Sequence, residues 1–136
     1  MSSIAVRSQR LVRRGRRRAE ALMLDEVRIT RVTGATTGAG GEVTKTTETV
    51  YTGRARLQTY DPYERKVPVA DAETTIRRDV LQLPIAGTED VRTGDRVEFT
   101  ASTLDSSLVG RVFRVAGPSR KTHQTQRKIY VEEVTQ

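Results

Sequence analysis

One imidazole, a group of four carboxylates, a glycine-rich run and a row of arginines are the residues here whose types and spacing could do chemistry. His123 lies in the hydroxyl-rich stretch Ser119-Arg120-Lys121-Thr122-His123-Gln124-Thr125. A histidine so placed could serve as a general base toward Ser119 or Thr122. Nothing in the sequence orients it, and no Gly-x-Ser-x-Gly elbow presents a nucleophile. It reads as a solvated loop histidine. Asp61, Glu64, Asp71 and Glu73 fall within thirteen residues and could hold a divalent cation. Their spacing matches no calcium loop, and Arg65 and Lys66 stand among them. They read as an ordinary polar loop. Gly34 to Gly41 lacks both the dinucleotide fingerprint and the phosphate-loop lysine, so it reads as a flexible loop. Thr93-Gly94-Asp95 is a tight turn with positive φ at Gly94 and Asp95 bonding nearby amides. The expectation is a chain with no catalytic residue, no cofactor and no metal site.

The arginines are the stronger signal. Arg7, Arg10, Arg13, Arg14, Arg16, Arg17 and Arg18 are seven of the first eighteen residues, with no acidic residue among them. Residues 1–20 carry these seven cations and Glu20, a balance of +6, while the whole chain is +7; the remaining 116 residues net +1. A cationic arm thus adjoins a nearly neutral body. An arm of this kind meets nucleic-acid phosphates, with salt-dependent and sequence-blind affinity, or an acidic protein groove in which guanidinium forks pair with carboxylates. Its bland alternative is a solvated tail.

Composition narrows the classes. There is no cysteine, which removes disulfides, thiolate metal sites and a cysteine nucleophile. One histidine excludes a metal site with two imidazoles. No apolar run approaches the ~20 residues of a membrane span, so no membrane partner is expected. The apolar stretch after the arginines, Ala21-Leu22-Met23-Leu24, is too short for a secretory signal.

Stepping along the chain, residues 1–24 read as a basic helical arm and 25–136 as one small β-barrel domain. Within 4–24, Ile4, Leu11, Ala19 and Leu22 share a stripe at helical spacing, with Val12 and Met23 beside it. Arg7, Arg10, Arg14 and Arg17 share another face. Gly15 and the like charges at i,i+4 weaken this helix, so it is expected to dock onto something. Valine- and threonine-rich segments then suggest six strands: 27–33, 50–59, 74–83, 96–101, 108–116 and 127–134. Gly53 is the expected bulge in the second, and Gly117-Pro118 the expected stop of the fifth. Residues 34–49 and 60–73 are expected as long loops of the kind that a partner orders. The fold class is mostly β: a small barrel or sandwich of about six strands with an N-terminal helix.

Five segments carry a resemblance: Met23 to Arg31 (MLDEVRITR), Tyr51 to Gln58 (YTGRARLQ), Asp79 to Pro84 (DVLQLP), Thr93 to Val97 (TGDRV) and Leu108 to Val115 (LVGRVFRV). In this order they resemble the head-to-tail stopper and connector proteins of long-tailed phages of actinobacteria, over residues 22–134. The resemblance implies a structural virion protein of the neck, assembled in the host cytoplasm. It implies rings of six or twelve copies beneath the portal and adaptor proteins, joined to the tail tube or terminator and retaining packaged double-stranded DNA. It implies no catalytic residues, and it makes the loops 34–49 and 60–73 candidates to contact neighbouring subunits or line the channel, with Gly38, Gly41, Tyr60, Tyr63, Arg120 and Lys121 as the expected contact residues. The alternative is a cellular nucleic-acid-binding barrel with a basic arm, which would need exposed aromatic rings for base stacking. A hydrolase built on Ser119 and His123 is a third reading, with nothing to orient its base.

Overall fold

In a computed structural model, residues 3–60, 67–69, 72–74, 78–118, 120 and 122–134 are described. A 19-residue helix α1 (Ser3–Ala21) leads into strand β1 (Asp25–Thr37) and strand β2 (Val43–Tyr60). The strands β3 (Val67–Val69), β4 (Ala72–Thr74), β5 (Arg78–Leu83), β6 (Arg96–Ser102), β7 (Val112–Pro118) and β8 (Arg127–Glu133) follow. A short 3₁₀ turn, Ser106–Leu108, lies between β6 and β7. Six strands close into an antiparallel barrel in the order β1-β2-β5-β8-β7-β6, and β6 pairs back onto β1. The fold is therefore mostly β with an N-terminal helix, as the composition implies.

Alternation explains the core. Val27 and Ile29 of β1, Val97 and Phe99 of β6, Phe113 and Val115 of β7, and Ile129 and Val131 of β8 each point inward at period two. Ala55, Leu81, Leu83 and Val91 complete the cluster. Phe99 and Phe113 meet edge to face with centroids 5.5 Å apart and planes at 70°. Strand β5 is buried on both faces: Val80 and Gln82 have the opposite parity to Leu81 and Leu83 and are equally enclosed. The Gln82 Nε2 donates to Gln58 Oε1 of the neighbouring strand at 3.0 Å, while its own Oε1 is unsatisfied.

Several boundaries differ from those read in the sequence. Residues 34–49 are not a loop. β1 and β2 pair in register from Asp25↔Ala55 out to Thr37↔Val43, closed by a turn in which the Gly38 amide donates to the Glu42 carbonyl at 2.7 Å. Gly41 supplies the left-handed residue at φ 81°. All of residues 32–49 are exposed, so this is a two-stranded ribbon projecting from the barrel. Its six residues beyond Arg31, at ~3.4 Å each, reach roughly 20 Å. Alternation could not reveal it because neither face is buried.

The bulge in β2 falls at Val50, where pairing jumps from Ile29↔Tyr51 to Thr30↔Thr49, and not at Gly53. Gly53 stays in register with Val27 and makes room for Tyr51, whose hydroxyl would lie 2.7 Å from a Cβ there. That hydroxyl donates to the Arg54 carbonyl at 2.8 Å. Leu108 to Arg111 is not strand: Asp105 caps the 3₁₀ turn and Gly110 turns the chain at φ 86°. Gly117 and Pro118 belong to β7 rather than stopping it: a register shift leaves Ala116 unpaired, and Gly117 and Pro118 go on to pair with Tyr130 and Ile129. Within the stretch expected as a loop over 60–73, Val67–Val69 pairs with Ala72–Thr74 as a small separate sheet. Asp61, Glu64, Tyr63, Asp71, Ser119 and Lys121 lie outside the described residues, and of Tyr60 and Glu73 only the backbone is described.

Candidate binding site

The helix packs against the loop before β8, at Gln124 and Thr125, along a stripe that differs from the one hydrophobicity selects. Its half-buried positions are Ser8, Val12, Gly15, Arg16, Ala19 and Glu20, spaced i, i+4, i+7, i+8, i+11 and i+12. Ile4, Leu11 and Leu22 are 77 %, 67 % and 58 % exposed, so three of the four expected stripe residues face away from the barrel. Gly15 explains the choice. Its bare backbone sits against Thr125, and a Cβ there would fall 2.5 Å from Thr125 Cγ2. Close approach at a glycine outweighs the burial of three aliphatic side chains on an otherwise cationic helix. The helix ends at Ala21, and Met23, 3 % exposed, anchors the connection into β1.

This docking sorts the arginines. Arg7, Arg10, Arg14, Arg17 and Arg18 lie on the outer side of the helix and are exposed. Arg13 is also exposed and lines a cleft of about 520 Å³ between helix and loop, with Ala5, Ser8, Gln9, Val12, Arg16, Thr122 and His123. Arg16 alone turns toward the barrel, and its Nε donates to the Gln124 carbonyl at 3.2 Å. The seven expected as one contact group thus split into an outer face and an inner residue. Period alone assigns angles on the helix; only docking decides which angle is inside.

Arg16 meets two arginines from the far end of the chain. Arg16, Arg120 and Arg127 line a notch of about 410 Å³ with Ile85, Thr122 and Gln124. Strand β8 places Arg127, whose Nε donates to the Thr88 hydroxyl at 2.8 Å and whose guanidinium also reaches the Ile85 carbonyl at 3.3 Å. Thr88 is 1 % exposed and is fixed in turn through bonds to the carbonyls of Pro84 and Ile85. Arg120 is exposed at the rim. His123 is exposed beside the helix, consistent with a solvated loop residue. Gly38 and Gly41 lie at the ribbon tip, far along the chain from this notch. Arg127 was not among the contact residues expected from sequence; the signal available was its place next to the basic loop.

Five arginines of the body are handled differently. Arg31 is clamped by Asp95, with Asp90 and Glu48 beside it. Arg28 pairs with Glu98, Arg92 with Asp90, Arg111 with Glu133 and Arg114 with Glu132. Glu132 and Glu133, though exposed, thus hold Arg114 of the neighbouring strand β7 and Arg111 just before it. Among the described residues, no carboxylate pairs with Arg16, Arg120 or Arg127, nor with any arginine of the outer helix face. These five arginines have their charge cancelled locally, whereas the helix and the notch have no such partner among the described residues. No group of three or more metal-ligating side chains occurs among the described residues.

The model of a family of unknown function, DUF6093, matches residues 15–132, and the chain belongs to that family. No curated protein matches it. The solution structure of protein SF1141 from Shigella flexneri 2a, a structural genomics target, is similar, with a TM-score of 0.53 and 18 % identity over 80 % of this chain and 90 % of that one. At that identity the likeness speaks to fold alone.

Proposed function

We propose that this DUF6093 protein is a structural connector of a phage neck, a head-to-tail stopper subunit. It forms a ring of six or twelve copies, joins the portal–adaptor complex to the tail and helps retain packaged DNA. The observation that carries the reading is that the two most conspicuous surfaces serve nothing within the monomer. One is the arginine face of α1, which lacks carboxylate partners among the described residues. The other is the ribbon of residues 32–49, exposed on both faces. An isolated two-stranded ribbon is marginal in water and gains its order from what it touches. Leu22, Leu24 and Leu104 add exposed apolar surface where the helix enters the barrel, with the Leu24 carbonyl accepting from the Thr103 amide and hydroxyl. Neighbouring subunits would cover ribbon and leucines, and the arms would gather about the ring axis. Six to twelve copies of a +6 arm concentrate ~36–72 charges there, enough to hold a polyanion strongly.

The competing reading, a cellular barrel that binds nucleic acid by base stacking, loses its platform. Phe99 and Phe113 are buried against each other, and Tyr130 is the one exposed ring among the described aromatic side chains.

Light scattering with negative-stain imaging of the full chain, alone and with neck components of a candidate phage, tests the proposal. Rings that enter portal–tail complexes are the expected result. A strict monomer that never joins particles, or a turnover reaction, would overturn it.

A further inference from the structure

Arg16, Arg120 and Arg127 form a notch whose charge no carboxylate among the described residues compensates. The contrast is with Arg31, whose guanidinium donates to both oxygens of Asp95 at 2.8 and 2.9 Å and to Asp90. There the positive charge is consumed by its own fold. Arg16 and Arg127 are held instead by neutral acceptors: the Gln124 carbonyl, the Thr88 hydroxyl and the Ile85 carbonyl. Neutral acceptors orient a guanidinium without cancelling it, and each fork keeps N–H groups to spare. Two oriented guanidiniums, a third at the rim and Thr122 line one open space. Such a site takes a tetrahedral oxyanion.

Its surroundings select a polymer over a single ion. The notch shares Arg16 and Thr122 with the cleft that continues along the helix to Arg13 and Ala5. The two form one groove, which at ~1.5 Å per helical residue runs roughly 16 Å from Ala5 to Arg16. Arg13 lines it. No described aromatic side chain lines either part, so the groove reads backbone and not bases.

We infer that this groove is a phosphodiester site that seats one strand of duplex DNA, with a backbone phosphate in the notch between Arg16, Arg120 and Arg127. The inference rests on the connector reading only for its choice of DNA as the polyanion.

The test is fluorescence anisotropy with a labelled 20-base-pair duplex and the full chain, across a salt series. The double variant Arg16→Gln/Arg120→Gln should bind at least tenfold more weakly near 0.1 M salt and lower the salt slope by about one phosphate contact. Arg111→Gln/Arg114→Gln removes the same formal charge far from the groove and should change affinity less than twofold. Arg120→Gln alone, which breaks no bond among the described residues, guards against a helix that simply undocks; it should weaken binding about threefold with an unchanged thermal midpoint. Equal losses in both double variants would mean diffuse attraction and overturn the inference. So would a wild-type chain that ignores DNA, or polyglutamate of matched charge binding as tightly with the same dependence on Arg16 and Arg120. Ring assembly is scored separately by imaging. Rings without DNA binding would sink this inference and leave the connector reading standing; DNA binding by a permanent monomer would do the reverse.

Discussion

Arg31 and Asp95 form a two-pronged ion pair, Nε to Oδ1 at 2.8 Å and a terminal nitrogen to Oδ2 at 2.9 Å, at the root of the projecting ribbon. Asp95 is 2 % exposed and also accepts the Arg92 amide at 2.8 Å. The Gly94 turn, at φ 93°, presents this carboxylate to β1. Hydrogen bonds to Asp95, and then to Asp90, hold the Arg31 guanidinium above its ordinary range. The pair fastens the ribbon's base to the segment before β6. A buried carboxylate with three donors is costly to lose. Asp95→Ala should lower the thermal midpoint by roughly 10 °C, with the ribbon becoming protease-sensitive before the barrel melts. A midpoint within 2 °C of wild type would show that the clamp is ornamental.

Gly15 is where docking and helix propensity oppose each other. Gly15→Ala favours the helix by ~1 kcal/mol in isolation. Here the added methyl meets Thr125 Cγ2 at 2.5 Å, and overpacking of that kind costs ~1–3 kcal/mol. The variant should release the helix, seen as faster amide exchange across residues 8–20. Thr125→Ser in the same chain removes the offending methyl and should restore protection. Unchanged exchange in the single variant would contradict the contact.

Phe113→Ala should remove ~3–5 kcal/mol by opening a cavity beside Phe99, enough to unfold much of the population at 37 °C. Far-ultraviolet circular dichroism with a urea titration reads this directly. Phe113→Leu should lose less than half as much.

Acid should weaken the ribbon's base and the 3₁₀ turn first. The Arg31 hydrogen bond and the Arg92 charge hold the Asp90 carboxyl below its ordinary 3.8, and bonds from Ser107 do the same for Asp105. Both groups are depressed in the folded state, so the unfolded chain takes up protons first. Their contribution is full above about pH 4 and is lost as pH falls through the folded values. Asp90→Asn and Asp105→Asn should each flatten the acid limb of a stability–pH curve between about pH 4 and 2, leaving the neutral plateau's shape alone. An acid limb identical to wild type in both variants would refute this.

Replacing residues 33–46 with Asn-Gly joins Val32 to Thr47, partners in the present register, through a two-residue hairpin turn. The shortened chain should fold, since no residue from 32 to 49 is buried. On the connector reading it should fail to form rings. Rings of normal size from this variant would remove the ribbon from the interface.

Much of the barrel was legible along the chain because burial on one face imposes period two. Val27 and Ile29, Val97 and Phe99, and Phe113 and Val115 announce both strand and inward face. The arginine arm and its near-neutral neighbour were equally plain, since net charge needs no fold. The ribbon was not legible: with both faces in water, Thr, Lys and Glu of residues 44–49 carry no burial pattern and Gly34 imitates a loop.

What the amino-acid order determined by itself was the barrel's interior and the sign of its terminal helix, because hydrophobic alternation and formal charge are local properties. What only tertiary structure decided was which side of that helix faces inward, and that Arg16 meets Arg120 and Arg127 across more than a hundred residues. The deciding contact is a methyl of Thr125 against the bare backbone of Gly15, a steric fit between distant segments that no periodicity encodes.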